Sequence, residues 1–137
     1  MGDTGRVLAL DYGTKRIGLA VSDLLRLTAQ PVATIETTRL NEELPVLVEQ
    51  FSVEELVVGL PVSLDGTEGV AAAQARALAA SAAELTGLPV TMVDERFTTR
   101  IAESAMLEAG VKRRDRRHQV DRLAATILLQ GYLDGKR

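Results

Sequence analysis

Three acidic residues that are far apart in the chain could together bind divalent cations: Asp11, Glu95 and Asp121. Asp11 ends an apolar run, and Gly13 in the following turn lets the backbone approach a metal or a phosphate closely. A carboxylate at the tip of a central strand is unfavourable unless a cation meets it. Glu95 and Asp121 lie at the ends of two other predicted elements and could converge on Asp11. The pattern indicates a metal-dependent phosphoryl-transfer site.

The residue types favour hard cations in this site. Hydrolysis of a phosphodiester needs an activated water and neutralisation of charge on the phosphate, which two Mg²⁺ or Mn²⁺ ions about 4 Å apart can supply. Such ions prefer oxygen ligands, so carboxylates from separate elements are the expected ligands. The chain has no cysteine and a single histidine, His118, which excludes a zinc site of the usual kind.

Three further residues could assist this site. Asp94 precedes Glu95 at the end of a predicted strand, and alternation sends the two side chains to opposite faces. We favour Glu95 as the ligand, with Asp94 as the alternative or as a cap of the turn. Asp65 lies in an Asp-Gly turn, so we assign it first to the shape of its loop and second to an outer metal shell. His118 could donate a proton or position water, although a solvated loop histidine is the commoner state.

A cluster of basic and hydroxyl residues predicts contact with nucleic-acid phosphates. The net charge of −3 argues against coating nucleic acid through an overall field, and the few aromatic residues disfavour base stacking. Local basicity, in a segment predicted to be a flexible loop, favours binding to the phosphate backbone instead. The candidate residues are Arg96, Thr98, Thr99, Arg100, Lys112, Arg113, Arg114, Arg116 and Arg117.

Length and composition narrow the class of protein. A chain of 137 residues can bury a substantial core, so we expect residues 1–137 to form one domain. The absence of cysteine excludes disulfides and cysteine nucleophiles, and is compatible with a reducing compartment. The sequence has no apolar run near the roughly 20 residues that a membrane helix needs. We therefore expect a soluble, cytoplasmic protein that has no membrane partner.

The elements that must position these residues alternate between strands and helices. Two apolar runs joined by a short turn predict an antiparallel hairpin, a third strand extends this meander, and βα units then add parallel strands. The predicted strands are residues 6–11, 17–22, 31–37, 55–60 and 89–93, and the predicted helices are residues 40–51, 70–85, 99–109 and 120–133. The predicted fold class is α/β, with a mixed central sheet and helices on both faces.

Four segments, in order along the chain, resemble the motifs of the YqgF/RuvX family. They are ALDYGTKRIGLAVSD, VVGLPVSLDGTEG, VDERFTT and VDRLAATILLQGYLD. The resemblance covers essentially the whole chain and implies a small RNase H-like nuclease domain, related to the RuvC Holliday-junction resolvases. It further implies a divalent-metal nuclease that matures the 5′ end of 16S ribosomal RNA, with Asp11, Glu95 and Asp121 as its catalytic residues. Its implied partners are structured RNA, DNA as a second substrate, and a pre-ribosomal particle.

Other functions remain open from the sequence. The relationship to RuvC also suggests a Holliday-junction resolvase, which needs two active sites and hence a homodimer, whereas a general DNA or RNA nuclease could act as a monomer. A non-catalytic RNA-binding module is a third possibility. The Asp-Tyr-Gly-Thr turn that begins at Asp11 also resembles a phosphate loop of actin-like ATPases, but that fold needs two such domains and this chain offers one candidate copy.

Overall fold

The computed structural model describes the backbone of residues 5–95 and 113–136, and the side chains of residues 5–95 and 123–136. Within these ranges, five strands form one sheet in the order β3-β2-β1-β4-β5. The strands are β1 (Arg6–Asp11), β2 (Arg16–Ser22), β3 (Ala29–Glu36), β4 (Val53–Leu60) and β5 (Val90–Asp94). The first three strands form an antiparallel meander, and β4 and β5 run parallel to β1. The mixed sheet predicted from the sequence is confirmed.

Helices cover both faces of this sheet. They are α1 (Leu40–Gln50), which a short 3-10 turn precedes, α2 (Val70–Thr86) and α3 (Arg113–Gly135). The packing of α1 and α2 on one face buries one apolar cluster, and the packing of α3 on the other face buries a second. The central strand β1 contributes to both clusters, because its side chains alternate between the faces. The prediction of helices on both faces is therefore confirmed.

The alanine-rich helix α2 illustrates how the sequence sets an element boundary. Alanine has the highest helix propensity, and small side chains let α2 lie close to the sheet, where Ala75, Ala79 and Ala82 are buried. The helix ends at Gly87, which has a φ of 69° and donates its backbone N–H to the carbonyl of Ala83 at 2.8 Å. Glycine adopts this left-handed conformation without the steric cost that a side chain would bring.

The last helix differs from the prediction at its beginning. The described backbone is helical from Arg113 onward, so the expectation that the basic segment is a flexible loop is wrong for residues 113–117. Arginine and glutamine are good helix formers, and residues 113–130 contain neither glycine nor proline to end the helix. His118 therefore lies in a helix rather than a loop, and Asp121 lies well inside α3 rather than in its first turn. The predicted helix over residues 99–109 lies outside the described residues.

The direction of α3 across the sheet follows from two contacts. Near the C-terminal end of α3, the hydroxyl of Tyr132 donates a hydrogen bond to the carboxylate of Glu55, close to the start of β4. Earlier in α3, Leu128 lies against Gly59, close to the end of β4. Helix α3 thus runs antiparallel to β4. Among the described helices, none is long and apolar enough to cross a membrane.

Candidate active site

The parallel strands bring two of the predicted acidic residues to the same edge of the sheet. Asp11 is the last residue of β1, and Glu95 directly follows β5. The carboxyl ends of β1, β4 and β5 lie together because these strands are parallel. The backbone N–H of Glu95 donates to the carbonyl of Leu60 at 3.1 Å, which extends the pairing of β4 and β5 by one residue. This bond holds Glu95 at the end of the sheet.

Side-chain alternation decides which acids meet. Ala9 in β1 and Val93 in β5 both pack on the α3 side of the sheet. Asp11 and Glu95 each come two residues later, so both carboxyl groups lie on that same side. The two side chains are hydrogen-bonded to each other. Asp94 lies between Val93 and Glu95 in the chain, and is exposed.

The proximity of the two acids changes the protonation of Glu95. The pKa of Glu95 is raised from 4.5 to about 8, first because the carboxyl is partly buried, then because of the charge and the hydrogen bond of Asp11, with a smaller effect from Asp94. Two carboxylates in contact repel each other unless one is protonated or a cation lies between them. Near neutral pH, the Asp11–Glu95 pair therefore retains a proton that a divalent cation could replace.

Gly59 is a residue of this site that the sequence analysis did not identify. It lies in β4, between β1 and β5, and is paired with Val93. A methyl group at Gly59 would lie 2.9 Å from Cδ of Glu95 and 3.0 Å from Cδ2 of Leu128, closer than side-chain atoms normally approach. A glycine inside an otherwise apolar strand is a known signal of close approach by another group. That signal was present in the segment ELVVGL.

The structure assigns Asp65 to its own loop. Its Oδ1 accepts hydrogen bonds from the backbone N–H and the hydroxyl of Thr67, at 3.0 and 2.8 Å. The same turn is closed by a bond from the N–H of Ser63 to the carbonyl of Thr67, and Gly66 adopts a φ of 91°. The first assignment of Asp65, to the shape of its loop, agrees with these bonds. A role of Asp65 in an outer metal shell stays a prediction.

The other candidates fall outside the described side chains. Within the part of the chain whose side chains are described, no three acidic or histidine side chains form a metal-binding group. Asp121 and His118 lie in α3 with described backbone only. The same holds for four of the basic residues, Arg113, Arg114, Arg116 and Arg117. The remaining candidates, Arg96, Thr98, Thr99, Arg100 and Lys112, lie outside the described residues altogether.

A five-stranded mixed sheet with this order, flanked by helices and with acids at the carboxyl edge, defines an RNase H-like α/β protein. The family model described as "RuvX: Holliday junction resolvase" matches residues 5–135. The chain therefore belongs to the RuvX family.

Curated relatives agree with this assignment. A protein of Lactococcus lactis subsp. cremoris (strain MG1363) is 45% identical over 134 residues, which cover 94% of this chain and 94% of the relative. A protein of Moorella thermoacetica is 48% identical over 132 residues, with 94% of each chain covered. Both relatives carry the name "Putative pre-16S rRNA nuclease".

Solved structures share the fold at low sequence identity. Thermus thermophilus RuvC in complex with a Holliday junction substrate aligns with a TM-score of 0.58 and 18% identity, covering 96% of this chain and 95% of that chain. The fowlpox virus Holliday junction resolvase aligns with a TM-score of 0.55 and 11% identity, covering 95% of this chain and 99% of that chain. These similarities confirm the RNase H-like fold predicted from the sequence.

Proposed function

We propose that this protein is a divalent-metal-dependent nuclease that hydrolyses phosphodiester bonds and processes the 5′ end of pre-16S ribosomal RNA in the cytoplasm. The observation that carries the proposal is the contact between Asp11 and Glu95 at the carboxyl edge of an RNase H-like sheet. The names of its curated relatives support the choice of substrate.

The donor set fits Mg²⁺ or Mn²⁺. Asp11 and Glu95 offer carboxylate oxygens only, which hard divalent cations prefer. Because the pair retains a proton near neutral pH, a cation would replace that proton and remove the repulsion between the carboxylates. When bound, a pair of such ions would supply the charge neutralisation and the activation of water that phosphodiester hydrolysis needs.

Asp121 is the proposed third ligand. It lies four positions before Ala125 and seven before Leu128, and both of these side chains pack toward the sheet. Residues with this spacing share one face of a helix. Followed from Leu128 toward its N-terminus, α3 runs past Gly59 in the direction of the carboxyl edge of the sheet. This direction and the spacing together support a place for Asp121 beside Asp11 and Glu95.

The basic residues are proposed to bind the substrate. Residues 113–117 lie in α3 on the N-terminal side of Asp121. They are therefore farther along the helix than Asp121 from the residues that pack against the sheet. A helix rises 1.5 Å per residue, so these arginines begin about 6 Å beyond Asp121 along the helix axis. Guanidinium groups suit phosphate oxygens, which they can bind in bidentate fashion. We include Arg96, Thr98, Thr99, Arg100 and Lys112 in this proposed surface because they flank the same acids in the sequence.

A second candidate function is Holliday-junction resolution. It is favoured by the description of the family model and by the structural similarity to RuvC. A junction resolvase cleaves two strands symmetrically and so needs two copies of the site in a homodimer, whereas RNA processing can proceed in a monomer. Sedimentation analysis of the purified protein would distinguish these two states.

A substrate panel tests the proposal. Wild type and Asp11→Asn are incubated with a labelled structured RNA that carries a 16S 5′ precursor sequence, with single-stranded DNA and with a four-way junction, each with Mg²⁺, with Mn²⁺ and with excess EDTA. We expect wild type to cleave the RNA only when a metal is present, and Asp11→Asn to be inactive although its circular dichroism spectrum is unchanged. Preferred cleavage of the junction would support the second candidate. Binding without cleavage of any substrate would contradict both nuclease proposals.

A further inference from the structure

Glu95 has to cross a neighbouring strand to reach Asp11. The sheet order places β4 between β1, which ends in Asp11, and β5, which precedes Glu95. Neighbouring strands lie about 4.8 Å apart, so the backbones of β1 and β5 are about 10 Å apart. The Glu95 side chain therefore has to extend over the backbone of β4 to make its hydrogen bond with Asp11.

Gly59 is the residue of β4 over which this side chain passes. Leu10 pairs with Val58, and Gly59 pairs with Val93, so Gly59 is level with the ends of both neighbouring strands. Alternation places position 59 on the same face as Val57, which packs with α3. A methyl group there would meet Cδ of Glu95 at 2.9 Å and Cδ2 of Leu128 at 3.0 Å. The space that a side chain would occupy is already filled by the carboxyl group and by α3.

We propose that Gly59 is a positioning residue of the active site: the absence of a side chain at this position is what allows Glu95 to lie across β4 and meet Asp11. This inference rests on the proposed metal site, which it deepens by naming the residue that sets the separation of two ligands. Any side chain at position 59 displaces either the carboxyl group of Glu95 or helix α3. Displacement of Glu95 separates the two carboxylates and removes a ligand from the cation.

The chain provides a matched control at the other end of the sheet. A methyl group at Gly5, just before β1, would lie 2.6 Å from Cδ of Glu54 and 2.8 Å from its Cβ. The crowded group is thus again a glutamate side chain, but Glu54 is exposed. Its Cδ can turn into solvent, whereas the contact with its Cβ has to be relieved by a small shift of the backbone. Gly5→Ala therefore adds the same methyl group beside a glutamate side chain, away from the carboxyl edge.

The test combines Mn²⁺ binding with a crystal structure. Titration calorimetry should show Mn²⁺ affinity weakened about 10- to 100-fold in Gly59→Ala, which is the size of effect seen when the support of a metal ligand is lost. Gly5→Ala should bind Mn²⁺ within about twofold of wild type. The crystal structure of metal-free Gly59→Ala should show the Glu95 carboxyl group moved away from Asp11.

Each result bears on one claim. Wild-type Mn²⁺ affinity in Gly59→Ala, or a Glu95 carboxyl group still bonded to Asp11 in its crystal structure, would overturn the positioning role. If Gly59→Ala does not fold, the double variant Gly59→Ala/Leu128→Ala replaces it. The double variant removes the clash between the new methyl group and α3 and keeps the clash with Glu95. Leu128→Ala alone is then the reference. A wild-type protein that binds no Mn²⁺ would contradict the proposed function, and the crystal structure would still decide the role of Gly59.

Discussion

The two ends of the sheet each hold a glutamate on the face covered by α3, and the two glutamates have contrasting neighbours. At one end, the carboxylate of Glu55 accepts a hydrogen bond from Arg26 at 3.0 Å and another from the hydroxyl of Tyr132. At the other end, Glu95 shares a hydrogen bond with a second acid, Asp11. The first carboxylate has a cation and a hydroxyl donor, whereas the second faces a group of its own charge.

The surroundings of Arg26 show how the first end is built for stability. Its Nε donates to the carbonyl of Gly5 at 2.8 Å, and its backbone has a φ of 58°, in the left-handed region. The loop is held by Asp23, whose Oδ1 accepts the backbone N–H groups of Leu27 and Thr28 at 2.7 and 3.0 Å. These bonds hold the guanidinium at Glu55, so that this carboxylate tolerates partial burial.

The contrast distinguishes an acid whose charge is paired from the acid that we propose as a metal ligand. A partly buried carboxylate that is paired with a cation and a hydroxyl has its charge and its hydrogen bonds satisfied, which offsets the cost of its burial. A partly buried carboxylate against another carboxylate costs stability in the metal-free protein, and such an arrangement is typical of sites that bind a cation or exchange protons. The raised pKa of Glu95 reflects that cost.

The largest expected effect comes from exchanging each glutamate for glutamine. Glu95→Gln should lower metal-dependent cleavage at least about 1000-fold, because the loss of several kcal/mol of electrostatic stabilisation by the cation corresponds to that factor. Glu55→Gln should cleave within about threefold of wild type. Cleavage of the labelled RNA at saturating Mn²⁺ measures both variants, and similar losses in the two would remove the distinction between the ends of the sheet.

The pH dependence of Mn²⁺ affinity sharpens the contrast further. At the proposed metal site, a cation would have to displace the proton that Glu95 retains below about pH 8. Mn²⁺ affinity should therefore rise about tenfold per pH unit from pH 6 toward pH 8 and level off above it, with close to one proton released per protein. Calorimetry in buffers of different ionisation enthalpy counts the protons. An affinity that is flat between pH 6 and 8 would contradict this expectation.

The same proton affects the stability of the metal-free protein. The pKa of Glu95 is raised in the folded state, so its contribution to stability is fully present below the usual value of 4.5 and is lost as the pH rises through about 8. Glu95→Gln lacks this loss because glutamine does not ionise. Melting temperatures at pH 5 to 9 should therefore fall more steeply for wild type than for Glu95→Gln, and parallel curves would argue against the proton assignment.

A smaller effect is expected from the basic end of α3. Arg113→Glu/Arg114→Glu should weaken RNA binding and lower the slope of log affinity against log salt by about 1.4 to 1.8, since each phosphate contact contributes about 0.7 to 0.9. Lys136→Glu is the control, because Lys136 lies at the other end of α3, where its Nζ is 5.4 Å from the centre of the Tyr132 ring. An unchanged salt slope in the arginine variant would remove these residues from the proposed surface.

The smallest effect concerns the structural end. Glu55→Gln should lower the free energy of unfolding by about 2 kcal/mol, because hydrogen bonds to a charged group are replaced by weaker neutral ones and Arg26 loses its counter-charge. Urea denaturation without metal measures this loss. Glu55→Gln as stable as wild type would show that the Arg26–Glu55–Tyr132 contacts do not stabilise the fold.

The sequence by itself determined the order and type of the described elements and the choice of candidate acids. Apolar runs joined by a short turn indicated the meander, and βα units indicated the parallel strands. The glycine after α2 marks the end of that helix. These features follow from short-range physics, in which each residue responds to neighbours within a few positions. The same reasoning predicted a loop for residues 113–117, which are helical, because arginine-rich segments can be solvated and are also good helix formers.

Only the tertiary structure decided which groups touch. The contact between Asp11 and Glu95 depends on β4 lying between their strands, and the importance of Gly59 depends on both of them. The pairing of Glu55 with Arg26 and Tyr132 likewise joins three distant segments. Distances between such groups are set by strand order and helix packing across the whole sheet, so no local pattern in the sequence contains them.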